Sequence, residues 1–428
     1  MAAKFSLNRI KKFMSKLGPG LVTGAADDDP SGIGTYSQAG AGFGFSLSWL
    51  MLIMLPMMIV IQEISGRIGI VTGKGLASIA RDHYNRWVLY FVVFFLVFAN
   101  TVNIGADIGA MAASAQLLIP LPYVWWTLFF VIAIVLLEVI IPYKVYAKVL
   151  KWLCISLLAY IITAFLAHIP WTEVLKSLLV PKIEFKPEYV LIVVALLGTT
   201  ISPYLFFWEP SQEVEEEIAH HLKKVDGRPV VSENWFKRFR TDNFSGMLFS
   251  QVVAFFIMIT AAATLHQNGV TNISTASQAA EALVPLVHGF PHAGKIAEVL
   301  FAFGIIGTGL LSIPVLAGSA AYGVSEALEI NEGLSKKVKR ARGFYGVIAG
   351  ATFMGLLINF VGIDPIKALV YAAVINGVLA VPLIYMIIRV GSDKKIMGDR
   401  VTGLTSNLIA IFTLVAMAAA STAMVFIH

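Results

Sequence analysis

Gly24-Ala25-Ala26-Asp27-Asp28-Asp29-Pro30-Ser31-Gly32 sets three consecutive carboxylates and a proline inside an otherwise apolar run. At the centre of a membrane helix each carboxylate costs about 2.5–3.5 kcal/mol on insertion scales, so acids at that depth need a polar surrounding. Pro30 lacks an amide hydrogen and its ring collides with the preceding turn. Gly32 and Gly34 loosen the turn that follows. The stretch predicts a helix that breaks near Asp29, with Asp29 beside the break as a cation ligand. Asp27 and Asp28 also admit a plainer reading, as acids lining a water-filled vestibule.

The remainder of the 428-residue chain supplies the membrane context. It is 57% apolar and 14% charged, where a soluble domain carries about 25% charged residues. Apolar runs of about 20 residues recur, each long enough to span the hydrocarbon. Backbone polar groups in lipid must be satisfied within the segment, so these runs are helices, and the alternating polarity of a β-barrel is not seen. Spanning segments are expected at 19–42, 45–66, 88–118, 122–141, 152–169, 189–209, 243–265, 296–324, 344–361, 368–388 and 404–427. With a cytoplasmic N-terminus, the inside stretches hold 27 of the 32 Lys and Arg, and only Lys176, Lys182, Lys186, Lys295 and Lys367 fall outside. This skew obeys the positive-inside rule. It predicts an odd number of helices, an outside C-terminus, and residence in the plasma (inner) membrane.

The net charge of +6 then belongs to cytoplasmic loops, and no nucleic-acid partner is expected. Cys154 is the single cysteine, which rules out an intrachain disulfide or a thiolate cluster. Met1 to Lys16 is basic and amphipathic without a cleavage site, so no removable leader is expected. The polar stretch 213–241, from Glu213, Glu215, Glu216 and Glu217 to Lys237, Arg238 and Arg240, reads as a solvated linker between two halves.

The sixth segment repeats the features of the first. It reads Gly198-Thr199-Thr200-Ile201-Ser202-Pro203-Tyr204, with glycine ahead of proline and hydroxyls between. First and sixth are corresponding positions in two five-helix halves, and paired interruptions of this kind point to a transport site between inverted repeats. Unwound backbone there leaves carbonyl oxygens free for a cation. The halves are expected at about 18–169 and 189–388, followed by an extra helix at 404–427, all within one transmembrane domain.

Other polar residues fall inside or near spans. Gln62, Asn100, Glu138 and Asn407 read as interhelical hydrogen-bonding groups, worth roughly 0.6 kcal/mol each. Glu63 and Arg67, four apart, read as an ion pair. Gln38 and Asn376 are candidates for holding bound waters. His168, His266, His288 and His292 sit at predicted ends or in loops without metal-site spacing. The run Phe91 to Phe98 reads as lipid-facing or packed against other helices.

At the two breaks the sequence resembles the NRAMP family of divalent-metal transporters. The resemblance begins at Gly18-Pro19-Gly20, continues through Asp29-Pro30, and includes Ala41-Gly42-Phe43-Gly44-Phe45-Ser46-Leu47 and Arg67 to Leu76. It implies an all-α membrane protein of LeuT-like fold with a cation site between the first and sixth helices. It also exposes departures. The family's Asp-Pro-Gly-Asn reads Asp29-Pro30-Ser31-Gly32 here, so the Asn ligand becomes Gly32. Its Met-Pro-His reads Ser202-Pro203-Tyr204, so the thioether ligand becomes Ser202 and the proton-linked His becomes Tyr204. Its backbone-carbonyl ligand falls on Thr199. The acids that the family's third helix uses in proton transfer fall on Asn103 and Ala106, with Asp107 one residue on, about 100° around the helix.

Sulfur suits borderline-soft transition metals, whereas all-oxygen sites suit Mg²⁺, Ca²⁺ and Mn²⁺. Mg²⁺ also tends to keep several of its waters. The pattern is similar to the NRAMP-related magnesium transporter branch. It implies import of partly hydrated Mg²⁺, and also Mn²⁺, with weak or no proton coupling and no resident cofactor. Asp29, Thr199 and Ser202 would be the metal ligands, Gly32 and Tyr204 would shape the site, and Asp28, Gln38, Asn103, Asp107 and Asn376 are further candidates. Alternatives are proton-coupled Mn²⁺/Fe²⁺ transport of the family's usual type, or a small organic substrate on the same fold. An intramembrane enzyme is disfavoured because the histidines are peripheral and the acids gather at one break. A passive channel is disfavoured because such pores are usually ringed by several subunits.

Overall fold

The computed structural model describes residues 23–24, 26–141, 157–167, 169–225 and 227–427. Gly18 to Gly20, the basic stretch 1–16, Cys154 and His168 lie outside the described residues. The described residues are helical almost throughout. Helix α1 (Pro30–Phe43) follows the first break, and α2 (Ser48–Thr72), the short α3 (Leu76–His83), α4 (Arg86–Leu118) and α5 (Tyr123–Ile140) come next. After α6 (Leu158–Leu166) and α7 (Trp171–Leu179), α8 (Pro187–Thr200) and α9 (Leu205–Ala219) form the second interrupted pair. Then follow α10 (Glu233–Thr264), α11 (Ala276–Glu281), α12 (Ala293–Leu328), α13 (Arg342–Ile358), α14 (Pro365–Ser392), α15 (Lys394–Met397) and α16 (Leu404–Phe426). A two-stranded antiparallel hairpin pairs Lys224 with Pro229 and Val225 with Arg228.

Each of the eleven expected segments contains helix. Eight helices among the described residues are long and apolar enough to cross a bilayer, counting Pro187–Ala219 as one. The shortfall has local causes. The first segment is broken, the fifth lies partly outside the described residues, and α13 is an apolar helix of only 17 residues.

Side-chain size sets the order of packing. Helix α1 is rich in Gly, Ala and Ser and lies at the centre, against α10, α14, α8 and α4. Helix α4 in turn packs on α12, α13 and α14. The bulky residues face outward: Trp87, Phe91, Phe94 and Phe98 on α4 and most of α16 are exposed, as lipid-facing surfaces should be. Without a hydrophobic drive between helices in lipid, close approach of small residues supplies the packing. A Cβ on Gly24 would collide with the Gly246 carbonyl, and one on Gly40 with Met258 O and Ala262 N, so α10 meets the first segment at backbone contact on both sides of its break.

The acidic stretch after the second break is not a solvated linker throughout. Helix α9 runs on to Ala219 and buries Glu213 and Glu217. Glu209, Glu213 and Glu217 are spaced by four and so share one helical face, and Trp235 Nε1 of α10 donates to Glu213 at 3.3 Å. The expected Glu63–Arg67 pair forms at 2.6 Å, and Arg240 Nε of α10 also donates to Glu63, at 2.9 Å. Gln62 and Asn100 make their expected interhelical bonds, to Leu205 O and Leu316 O. Ser392 donates to Asn407. Both oxygens of buried Glu138 are without a hydrogen-bond partner.

In the loop between α12 and α13, burial and then the Glu326 carboxylate push the Glu332 carboxyl from its ordinary 4.5 up to about 9. Such a group holds its proton in the folded chain long after the unfolded chain has released it. Folded-state stability therefore falls as pH rises from about 4.5 through about 9. Glu332→Gln is expected to raise the thermal midpoint over wild type at pH 9 and to leave it unchanged at pH 4.5. Equal midpoints at pH 9 would remove the assignment.

Candidate functional site

Both breaks follow from proline. An amide at position 30 would donate to Ala26 O, and one at 203 to Thr199 O, so Pro30 and Pro203 each orphan a carbonyl four residues back. In the structure helix runs to Asp27, stops at Asp28–Asp29 and restarts at Pro30; in the sixth segment it stops at Thr200 and restarts at Leu205. Each orphan is met by a hydroxyl: Tyr204 donates to Ala26 O at 3.0 Å, and Ser202 donates to Thr199 O at 2.6 Å. Two helical C-termini, ending at Asp27 and Thr200, thus bring the negative ends of their dipoles to the breaks.

Asp29 caps the N-terminus of α1 and is completely buried. Its Oδ1 accepts from Gly32 N and from Ser31 Oγ, both at 2.7 Å, and its Oδ2 accepts from Asn103 Nδ2 at 2.7 Å. Asn376 Nδ2 of α14 approaches Asn103 Oδ1 at 3.5 Å, so the polar chain runs Asp29–Asn103–Asn376 across three helices. Asp107, one turn beyond Asn103, is buried within reach of Asp29's charge and accepts from Ser312 Oγ at 3.4 Å. The one-residue offset therefore does not carry it away from the site.

The second break contributes Ser202 Oγ, which also faces Asp27 Oδ1 at 3.1 Å, and Thr199 Oγ1, which is buried without a hydrogen-bond partner. Gly32 stands against Thr199: a Cβ there would lie 3.4 Å from Thr199 Oγ1 and 3.4 Å from the Tyr36 ring. Tyr36 OH pairs with Thr200 Oγ1 at 2.8 Å and closes the α1–α8 contact. Asp28 is buried beside Ser250 Oγ at 3.1 Å. The structure thus gathers Asp28, Asp29, Gly32, Asn103, Asp107, Thr199, Ser202, Tyr204 and Asn376 around the breaks.

Gln38 is not among them. It lies nine residues up α1 from Asp29, about 13 Å along a helix, where it donates to Thr271 O at 3.1 Å and accepts from Ile273 N at 2.9 Å. Its polarity serves to tie down the loop that carries Thr271 and Ile273. His266 similarly bonds Ala41 O, at 2.7 Å. Sequence reasoning missed Ser250, an unremarked serine on α10 that touches both Asp27 and Asp28. It also missed the bond from Thr23 Oγ1 to buried Glu209, 2.6 Å long. The only sequence trace of Ser250 is Gly246 one turn earlier, the residue that lets α10 approach.

Among the described residues no three His, Cys, Asp or Glu side chains converge as a metal site. Any cation at the breaks must be met by a mixed set of carboxylate, amide, hydroxyl and carbonyl oxygens.

A helical bundle organised around two interrupted helices with polar breaks is the architecture of LeuT-like membrane carriers. The chain belongs to the Nramp family: the family profile described as natural resistance-associated macrophage protein-like matches residues 20–427. It is 27% identical over 395 residues to the divalent metal cation transporter MntH of Klebsiella pneumoniae, covering 91% of this chain and 88% of that one. Among solved structures it is similar to the Eremococcus coleocola manganese transporter in complex with an aromatic bis-isothiourea substituted compound. That likeness has a TM-score of 0.73 at 16% identity, over 96% of this chain and 86% of that one. It is also similar to MhsT in complex with L-phenylalanine, with a TM-score of 0.61 at 14% identity, over 95% and 97% of the two chains.

Proposed function

We propose that the protein is a secondary transporter that imports divalent cations, Mg²⁺ foremost and Mn²⁺ also, in partly hydrated form and by alternating access, with weak or no proton coupling. Family membership and the likeness to MntH support a membrane transporter of divalent metal, rather than an enzyme. The observation that carries the choice of Mg²⁺ is the make-up of the breaks. Where the family pattern has a thioether and an imidazole, this chain has Ser202 Oγ, bonded to Thr199 O and facing Asp27, and Tyr204, bonded to Ala26 O. Oxygen donors favour hard cations, and a hydrated ion needs few direct ligands.

Asp29 supplies the full charge, and Thr199 and Ser202 supply oxygens directly or through water. An arriving cation displaces the Asn103 amide hydrogens from Asp29, and rotation of that amide presents its oxygen instead. The Lys/Arg skew supports an inside N-terminus and an outside C-terminus, and on that reading an inside-negative potential drives entry. For a divalent ion that drive is about 4.6 kcal/mol per 100 mV. Tyr204 does not titrate near neutrality as a histidine does, which supports the uncoupled mechanism.

The test is Mg²⁺ uptake into proteoliposomes under an inside-negative potential, with magnesium and pH dyes inside. Saturable Mg²⁺ uptake without acidification is the expected result. Mn²⁺ uptake with acidification, and no Mg²⁺ uptake, would replace this reading with the family's proton-coupled chemistry.

A further inference from the structure

The three aspartates at the first break are not equivalently satisfied. Asp29 receives three protein donors on two oxygens. Asp27 and Asp28 share two hydroxyl protons with another acceptor. Ser250 Oγ stands 3.1 Å from Asp27 Oδ2 and 3.1 Å from Asp28 Oδ1, yet has one hydrogen to give. Ser202 Oγ stands 3.1 Å from Asp27 Oδ1, but its hydrogen is better placed on Thr199 O at 2.6 Å. Asp28 Oδ2 is buried with no partner. Both side chains are 1% exposed, and the charges each feels are those of neighbouring aspartates. Two buried carboxylates with this donor supply are costly unless something positive joins them.

The surroundings hold this pocket in place. Backbone contact of Gly24 with Gly246 fixes α10 against the inner half of the first helix. Asp28 and Ser250 are each one turn further along, so the same contact brings Ser250 to the pair. The Asp27 and Asp28 oxygens that face Ser250 are within about 6 Å of each other, a gap that one cation with a retained water bridges.

We infer that Asp27, Asp28 and Ser250 form a second divalent-cation subsite, on the inner side of the Asp29 site and able to hold an ion without Asp29. This rests on the divalent-cation reading above. It places a station between the breaks and the cytoplasmic side, built from oxygen ligands and suited to Mg²⁺ or Mn²⁺.

The experiment is Mn²⁺ titration of the full-length protein in detergent. Free Mn²⁺ is read by its electron paramagnetic resonance signal, Mg²⁺ serves as competitor, and only variants monodisperse on size exclusion are compared. Asp29→Asn is expected to retain one Mn²⁺ per chain, weakened no more than about tenfold. Adding Asp28→Asn should weaken that residual binding more than 100-fold. Ser250→Ala in the Asp29→Asn background keeps both carboxylates, serves where the double variant does not fold, and should weaken it about tenfold. Loss of all binding in Asp29→Asn alone would overturn the subsite. So would residual binding that neither Asp28→Asn nor Ser250→Ala alters. Absence of Mn²⁺ binding to wild type also overturns it, and the divalent-cation reading falls with it only if proteoliposome uptake is absent too.

Discussion

Asp29→Asn is expected to abolish Mg²⁺ uptake while leaving the fold intact, and Asp29→Ala to abolish uptake and weaken the fold as well. The carboxylate has two separable tasks. It caps α1 by accepting from Gly32 N, and it holds Ser31 and Asn103 in place. Asparagine caps a helix as well as aspartate does, whereas alanine at an N-cap costs about 0.5–2 kcal/mol. The charge is a different matter. Removing one partner of a buried charge interaction costs roughly 3–5 kcal/mol, or about 10²–10⁴-fold in affinity. Initial uptake rates at sub-saturating Mg²⁺ should fall by that factor in both variants, with the thermal midpoint lowered only for alanine. Uptake by Asp29→Asn within threefold of wild type would remove Asp29 from the site.

The second large effect is mechanical. Gly198→Val is expected to lower the thermal midpoint by roughly 5 °C or more and to abolish uptake. A Cβ at this position on α8 would run into Ala373 O and Gly377 N of α14, and Gly377 Cα would lie only 2.6 Å away. Facing it, a Cβ on Gly377 would lie 3.4 Å from Gly198 Cα. Two backbones in contact have no rotamer with which to yield. The cost therefore exceeds the ~1–3 kcal/mol of ordinary overpacking, and the displacement is passed to Thr199, the next residue. Gly350→Val on α13 is the control, because nothing lies within 4 Å of a Cβ there, and it should leave both measurements unchanged. Equal behaviour of the two variants would contradict the packing argument.

The breaks were legible because proline acts locally: Pro30 and Pro203 orphan specific carbonyls wherever they stand in a helix. The spans were legible from hydropathy and the Lys/Arg skew for a similar reason, since the bilayer acts on each segment independently. Partnerships across helices were not. Asn103 is bonded to Asp29 at a separation of 74 residues, and Ser250 to Asp28 at 222, and no spacing rule connects such positions. Gln38 was misplaced because polarity near a break does not say which face of α1 it occupies. The acidic run at 213–217 was misread because charge density suggested water, while the four-residue spacing of Glu209, Glu213 and Glu217 already described a helix face. Helix α7 was also overlooked, a nine-residue segment whose buried residue is Val174 alone.

The bond from Tyr204 OH to Ala26 O has a kinematic consequence. It joins the half-helix before the first break to the one after the second, and Thr23 Oγ1 to Glu209 Oε2 joins them again further from the breaks. Ser65 Oγ and Gln62 Nε2 of α2 hold the Phe206 and Leu205 carbonyls at the start of α9. Neither half-helix can tilt alone without breaking a buried bond, so the pair and α2 are tied into one unit flanking the breaks at Asp28–Asp29 and Ile201–Tyr204.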